Sequence, residues 1–236
     1  MRSIANNLKD VRARIQKATR AAGRPDDSVH LIAVSKTRPA EDLREAFAAG
    51  QRRFGENYVQ EALDKQHQLA DLALEWHFIG PLQSNKSRAI AEHFDWLHSL
   101  DRLKLAERLN AQRPAQRPPL QVCIQVNLDD ETSKSGVTLD QVEALADAII
   151  PLPRLTLRGL MAIPRPDQDE PALRERFAAL ANTLRHLQDR YPALPLDTLS
   201  IGMSDDLEAA IAEGATQVRI GTAIFGERSP KTTPDA

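Results

Sequence analysis

Aromatic residues are scarce in this chain, at 4% of 236 residues. Few rings leave few platforms for stacked bases, which argues against a single-stranded nucleic-acid binder. The formal net charge of −2 argues against a surface held to a phosphate backbone by bulk electrostatics. Cysteine occurs once, as Cys123, which excludes an intramolecular disulfide. Its place inside Leu120-Gln121-Val122-Cys123-Ile124 reads as a small buried hydrophobe. Long apolar runs are missing: no stretch reaches the length of a membrane span, and residues 1–17 carry charges throughout, with no apolar core of a leader. The expected location is the cytoplasm, with no membrane and no nucleic-acid partner.

Several chemical signatures are missing too. No Gly-x-Gly-x-x-Gly follows the first apolar run, and no Gly-x-Ser-x-Gly elbow occurs, which removes the usual dinucleotide and serine-hydrolase readings. Residues 221–226 have the glycine spacing of a phosphate loop without its Lys-Ser/Thr. His67, His77, His93 and His98 lack metal-ligand spacing, so no metal is expected.

What is present is an alternation. Residues 3–22 read as a helix, with Ile4, Leu8, Val11 and Ile15 in one apolar stripe, Ser3 as N-cap, and Gly23 before Arg24-Pro25 as the stop. Eight short apolar runs follow, at 29–35, 53–56, 76–79, 96–100, 120–128, 155–163, 198–202 and 217–221. Each is followed by a helical pattern, at 39–49, 58–72, 84–93, 101–112, 139–150, 171–191 and 205–213, with a last turn at 222–226. Strands alternating with helices make right-handed βαβ units and a parallel sheet. Eight units of this size predict an α/β fold, a single (β/α)8 TIM barrel, with the extra amino-terminal helix outside the repeat. One domain over residues 1–226 is expected, with a disordered tail at 227–236. A doubly wound open sheet is the rival.

A barrel gathers the carboxyl ends of its strands at one mouth. Those ends carry Lys36, Asn57, His77, Asn127, Met161, residues 202–204 and Gly221-Thr222. A partly desolvated lysine amine there can attack a carbonyl, although a solvated loop lysine is the commoner state. Ile201-Gly202-Met203-Ser204 leads straight into a helical pattern, with Ser204 in the N-cap position. Together with Gly221-Thr222 it offers backbone N–H groups to a phosphate. Ordinary capping is the rival reading, and Asp205 and Asp206 must point away for an anion to sit there. Arg219, between Val218 and Ile220 on the last strand, shares a face with Gly221. If buried it needs a partner, and an aromatic ring nitrogen would suit it.

Six segments carry a resemblance. Ala33-Val34-Ser35-Lys36-Thr37, Phe54-Gly55-Glu56-Asn57-Tyr58, the run 76–86, Gly159-Leu160-Met161-Ala162-Ile163-Pro164, the run 199–206 and the run 218–226 together resemble the pyridoxal phosphate homeostasis protein family, in particular its bacterial YggS-type members. The resemblance covers nearly the whole chain. It implies a barrel similar to the amino-terminal domain of alanine racemase, and pyridoxal 5′-phosphate held as an internal aldimine on Lys36. It also implies phosphate-binding positions at Ser204, Gly221 and Thr222, an arginine beside the pyridine nitrogen at Arg219, and Asn57, His77 and Met203 lining the pocket.

The implied role is vitamin B6 balance: a carrier that holds the cofactor and supplies it to apo-enzymes, expected as a monomer without robust catalysis. The alternative is a small racemase-like enzyme. Two-base racemisation needs a second base opposite the lysine, and the tyrosines are Tyr58 and Tyr191 alone. Lys134 is a candidate secondary lysine for cofactor exchange.

Overall fold

The computed structural model describes residues 3–129, 135–165 and 169–227. Eight parallel strands close in sequence order: β1 (His30–Val34), β2 (Arg53–Glu56), β3 (Glu75–Phe78), β4 (Trp96–Leu100), β5 (Leu120–Gln125), β6 (Leu155–Met161), β7 (Thr198–Ser200) and β8 (Gln217–Ile220). β1 pairs with both β2 and β8, and the register His30↔Gln217 through Ala33↔Ile220 closes the ring. This is the expected (β/α)8 barrel, and the open doubly wound sheet is ruled out.

The helices are α1 (Ile4–Ala21), α2 (Ala40–Ala48), α3 (Val59–Gln68), α4 (Ser87–His93), α5 (Leu103–Gln112), α6 (Val142–Ile149), α7 (Glu170–Arg190), α8 (Leu207–Ala212) and α9 (Thr222–Phe225). The main core lies between barrel and helices. There the strand residues Leu31, Ala33, Phe54, Phe78, Leu97 and Val122 join Leu43, Ala62, Ile90, Leu109 and Phe177 from the helices. Each of the larger of these side chains contributes about 1.5–3 kcal/mol by leaving water. Trp96, Cys123 and Met161 form a second, separate buried cluster. Cys123 is wholly buried, and its burial raises the thiol well above its ordinary range.

α1 begins where its sequence indicates: Ser3 Oγ accepts from the Asn6 N–H at 3.3 Å. Its buried stripe, Leu8, Val11, Ile15 and Ala18, packs against α2, α8 and α9. Asn7 Nδ2 donates to the Ile224 carbonyl at 2.8 Å. The added helix therefore fastens the first βα unit to the last ones, next to the seam where β8 meets β1.

Several helix starts differ from the sequence expectation. Asp101 pairs with Arg102 rather than capping α5, whose N-cap position is Arg102. The helix expected at 139–150 opens with a 3-10 turn, Leu139–Gln141, held by a capping box between Thr138 and Gln141. α8 starts two residues late, with Asp206 and not Ser204 preceding it. Nearly all of the tail expected to be disordered, from residue 228 onward, lies outside the described residues, as does Lys134.

Candidate cofactor site

The carboxyl ends of β1, β2, β7 and β8 surround a cavity of about 580 Å³, and Lys36, Asn57, Met203, Ser204, Arg219, Gly221 and Thr222 all line it. Seven of the eight positions expected from the sequence thus meet at one mouth. The eighth, His77, does not. It is fully buried within β3, hydrogen-bonded to His98 Nε2 at 2.9 Å and to Glu75 Oε1 at 3.0 Å. The strand places His77 below the cavity rather than at the strand's end, because β3 runs on to Phe78.

Lys36 directly follows Ser35, whose hydroxyl donates to Glu56 Oε1 at 2.6 Å. Lys65 Nζ donates to the same carboxylate oxygen at 2.8 Å, to Glu61 Oε1 at 2.6 Å and to the Ser35 carbonyl at 2.7 Å. Glu61 also accepts the backbone N–H of Thr37. Thr37 has φ +64°, a left-handed conformation unusual for a β-branched residue. The residues on either side of Lys36 are therefore fixed by one buried cluster from β2 and α3. Burial raises the Glu56 carboxyl, opposed by attraction to Lys65 and by hydrogen bonds from Lys65 and Ser35. Sequence reading missed this cluster, although Glu61 and Lys65 stand four apart on α3, a spacing that puts them on one helix face.

Arg219 is 4% exposed. Its Nη1 donates to the Ser200 carbonyl and to Ser200 Oγ, both at 2.7 Å, and its Nη2 to the Ala162 carbonyl at 2.9 Å. A guanidinium has five N–H donors, so two remain for an acceptor in the cavity. Burial brings its pKa down to about 10, which leaves it cationic at neutral pH. The expectation that a buried Arg219 needs partners is met by neutral oxygens, with no carboxylate in direct contact among the described residues.

The anion cradle differs in detail from its sequence reading. Ser204 lies in the turn before α8, and Asp206 accepts the Met203 N–H. Asp206 is thereby turned back onto its own loop, and both it and Asp205 act electrostatically on Arg14 of α1, but Asp205 does not point away as the anion reading requires: it lines the cavity. Among the described residues, the backbone N–H groups of Ser204, Thr222 and Ala223 have no acceptor. The last two are among the orphan donors of a helix start. The missing side chains at the two glycines also serve packing. Gly202 has φ +98°, and a Cβ there would come within 2.9 Å of the Ala210 Cβ. A Cβ on Gly221 would meet the Val34 carbonyl oxygen at 3.1 Å.

Three features fit a phosphorylated aromatic aldehyde: an amine at Lys36, convergent N–H donors at the last two strand-to-helix junctions, and a cationic floor. A fourth is an unsatisfied acceptor. Asn57 lines the cavity, and its Oδ1 is buried without a partner among the described residues. Arg38 also lines the cavity, with its guanidinium on the carbonyls of Gly226 and Glu227. Ile163 and Met203 form a partly exposed apolar rim. Tyr58 is exposed at the start of α3, and Tyr191 at the end of α7 bonds Asp147; neither lines the cavity. A cavity of about 670 Å³ at the opposite, amino-terminal end has charged walls that include Arg12, which bonds the Ala49 carbonyl and Gln51. Among the described residues, no group of three or more His, Cys, Asp or Glu side chains is arranged to hold a metal ion, and no helix is long and apolar enough to cross a membrane.

The closed barrel places the chain in the class described as "Alanine racemase, N-terminal domain", whose family model matches residues 6–229. Within this class the chain belongs to the pyridoxal phosphate homeostasis protein family. It is 61% identical to the family member of Pseudomonas aeruginosa, over 97% of both chains. It is 57% identical to that of Escherichia coli K12, over 97% of this chain and 98% of the other. Among solved structures it is similar to PipY of Synechococcus elongatus without PLP (TM-score 0.86, 42% identity, 95% of this chain and 100% of that one). It is also similar to PipY with PLP bound (TM-score 0.83, 41% identity, the same coverage). Alanine racemase from Corynebacterium glutamicum, at 20% identity and TM-score 0.67 over 95% of this chain and 61% of that one, shares the fold.

Proposed function

We propose that this chain binds pyridoxal 5′-phosphate at the carboxyl-terminal mouth of its barrel and takes part in cellular homeostasis of that cofactor. The observation that carries this reading is the meeting of Lys36, Arg219 and the Ser204 and Thr222 junctions around one cavity. The relatives point the same way: the most similar ones named above are pyridoxal phosphate homeostasis proteins, and one PipY structure has PLP bound.

When bound, the cofactor brings an aldehyde that condenses reversibly with a lysine amine and releases water. Lys36 supplies that amine. Ser204, Gly221 and Thr222 receive the phosphate on backbone N–H groups and hydroxyls, without a metal. Asn57 offers its unsatisfied oxygen to a hydroxyl, and Met203 covers the rim. Arg219 directs its two remaining donors at the ring. Its permanent charge disfavours a proton on a neighbouring ring nitrogen, and an unprotonated ring is a poor electron sink. Such a site holds the cofactor better than it drives carbanion chemistry.

In this reading the protein acts in the cytoplasm as a monomer, buffers free cofactor and hands it to apo-enzymes. Lys134 would serve as a secondary lysine in that exchange. The test is a transfer assay: protein loaded with cofactor is mixed with an apo-enzyme that needs it, and recovery of that enzyme's activity is followed. Recovery from wild type, slowed in Lys134→Ala, supports delivery and the exchange role. Equal rates from both remove Lys134 from the account. No recovery beyond that given by free cofactor removes delivery. Alpha-proton exchange of amino acids in deuterated water, lost in Lys36→Ala, would instead favour the racemase-like alternative.

A further inference from the structure

Four buried or half-buried side chains that are absent from the cavity wall connect Arg219 to the opposite end of the barrel. Arg219 Nη1 is 2.7 Å from Ser200 Oγ. Ser200 Oγ is 2.9 Å from His98 Nδ1, and His98 Nε2 is 2.9 Å from His77 Nδ1. His77 Nε2 is 3.0 Å from Glu75 Oε1. Ser200, His98 and His77 have no solvent exposure, while the Glu75 side chain is 34% exposed and opens onto the amino-terminal cavities. Arg53 Nε lies 3.4 Å from the other Glu75 oxygen. Trp96 stacks on His77 with a 5.3 Å centroid separation and a 14° interplanar angle.

The two ends fix the direction of every bond between them. A guanidinium only donates and a carboxylate only accepts. Ser200 Oγ accepts from Arg219, and its own proton goes to His98 Nδ1 because the Glu75 end, traced back through both rings, leaves that nitrogen bare. His98 then carries its proton on Nε2 and donates it to His77 Nδ1. His77 in turn carries its proton on Nε2 and donates it to Glu75. The opposite sense with neutral rings would set a bare His77 Nε2 against the Glu75 carboxylate, two acceptors 3.0 Å apart. Burial lowers the pKa of both histidines; for His77 the hydrogen bond to Glu75 opposes the shift, and for His98 the charges of His77 and Arg219 add to it. Burial would raise the Glu75 carboxyl, but the His77 bond and attraction to His77 and Arg53 bring it down to about 2. The remaining charged neighbours are Asp95 beside His77 and Asp206 beside Arg219.

We propose that Glu75, His77, His98 and Ser200 form a one-way hydrogen-bond relay through the barrel interior that positions Arg219 at the cofactor site and gives it a distant counter-charge. These four are positioning residues; none touches the cavity. The relay transmits orientation and polarisation, not protons, because its upper end is a guanidinium that does not release one. It explains why a guanidinium buried among neutral oxygens keeps one orientation, and why two histidines sit at full burial. The proposal rests on the cofactor reading for its consequence, but not for its geometry.

The test has two independent parts. In the protein without cofactor, nitrogen NMR of labelled histidine reads the tautomers directly. His77 and His98 are expected neutral with the proton on Nε2 at neutral pH; a dominant Nδ1–H form or a charged ring at either position overturns the relay. In the second part, Ser200→Ala, Glu75→Gln and a control, Thr19→Ala, are titrated with pyridoxal 5′-phosphate. Thr19 is an equally buried hydroxyl in α1 that bonds the Ile15 carbonyl. Ser200→Ala is expected to weaken cofactor binding by about tenfold, the size of one hydrogen bond to a charged group. Glu75→Gln is expected to move the pH midpoint of the bound cofactor's absorbance downward, because the uncompensated Arg219 disfavours an added proton. The control should change neither. If both relay variants behave like the control, the chain is only structural and the positioning role is overturned. Failure of wild type to take up cofactor would sink the functional reading, and the tautomers would still decide the relay.

Discussion

Lys65 Nζ lies 2.8 Å from Glu56 Oε1 and 2.7 Å from the carbonyl oxygen of Ser35, the residue before Lys36. Glu56 is fully buried and Lys65 nearly so. Desolvating two such charges is costly, and their attraction compensates only while both are present. The pair contributes to function through position: with Glu61 it fixes Ser35 and Thr37, and so the base of the Lys36 side chain.

Lys65→Met should destabilise the protein by about 3–5 kcal/mol, the usual cost of leaving a buried charge unpaired. Glu56→Gln should cost less, since Lys65 retains Glu61 at 2.6 Å. Urea denaturation of the two variants checks the order. A Glu56→Gln loss as large as that of Lys65→Met would show that the cluster is not organised around the lysine.

The buried histidines predict a pH dependence. In the unfolded chain a histidine protonates near pH 6.5, whereas folding lowers the pKa of His98 well below that. A depressed folded pKa contributes stability above the unfolded value, and this is lost as pH falls through the window below it. Wild type should therefore lose more melting temperature between pH 7 and roughly 5.5 than His98→Gln does. The difference between the two proteins is the proper readout, because Glu56, raised by burial, changes stability in the opposite sense as pH falls. Glu75 adds a second loss further down, between about pH 4.5 and its folded value of about 2. Parallel curves for wild type and His98→Gln would contradict the neutral, buried state of His98.

Gly202→Ala combines a left-handed φ of +98° with a Cβ only 2.9 Å from the Ala210 Cβ. A loss of roughly 1–3 kcal/mol is expected, the range for a side chain forced into a sparsely populated backbone region. The loop that carries Ser204 should shift with it, so cofactor affinity should fall alongside thermal stability. Unchanged affinity in a destabilised variant would separate the Ser204 turn from the phosphate.

Arg219→Lys keeps the charge and loses the planar fork that reaches Ser200 and Ala162 together. Cofactor binding should weaken by about tenfold or more, as for the loss of a hydrogen bond to a charged group. Spectrophotometric titration reads this directly, and wild-type affinity in this variant would remove Arg219 from the site.

Much of this arrangement was legible in the chain itself. The β1 run that ends in Lys36, and the glycine-containing ends of β7 and β8, announce a strand-end site because short apolar runs with polar stops are local properties. Arg219 was legible for the same reason, as a lone cation inside Val218-Arg219-Ile220. His77 was misplaced because it shares a strand face with Ile79, and it is Ile79, two residues further on, that reaches the cavity while His77 stays in the barrel interior. The buried cluster and the relay were not legible. Glu56, Glu61 and Lys65 meet Ser35 only once β1, β2 and α3 are packed, and His98 and Ser200 are 102 residues apart in sequence. Ser204 looked like an N-cap because it precedes a helical pattern, but Asp206 holds the turn and delays α8.

The central claim is that Lys36 is the covalent anchor of pyridoxal 5′-phosphate. The direct test is to load the protein with cofactor, reduce it with borohydride and map the modified residue by peptide mass spectrometry, with Lys36→Ala in parallel. The account predicts a pyridoxyl group on Lys36 in wild type, and loss of both that label and the visible absorbance band in the variant. Label on another lysine in wild type, or an undiminished band in Lys36→Ala, would contradict it.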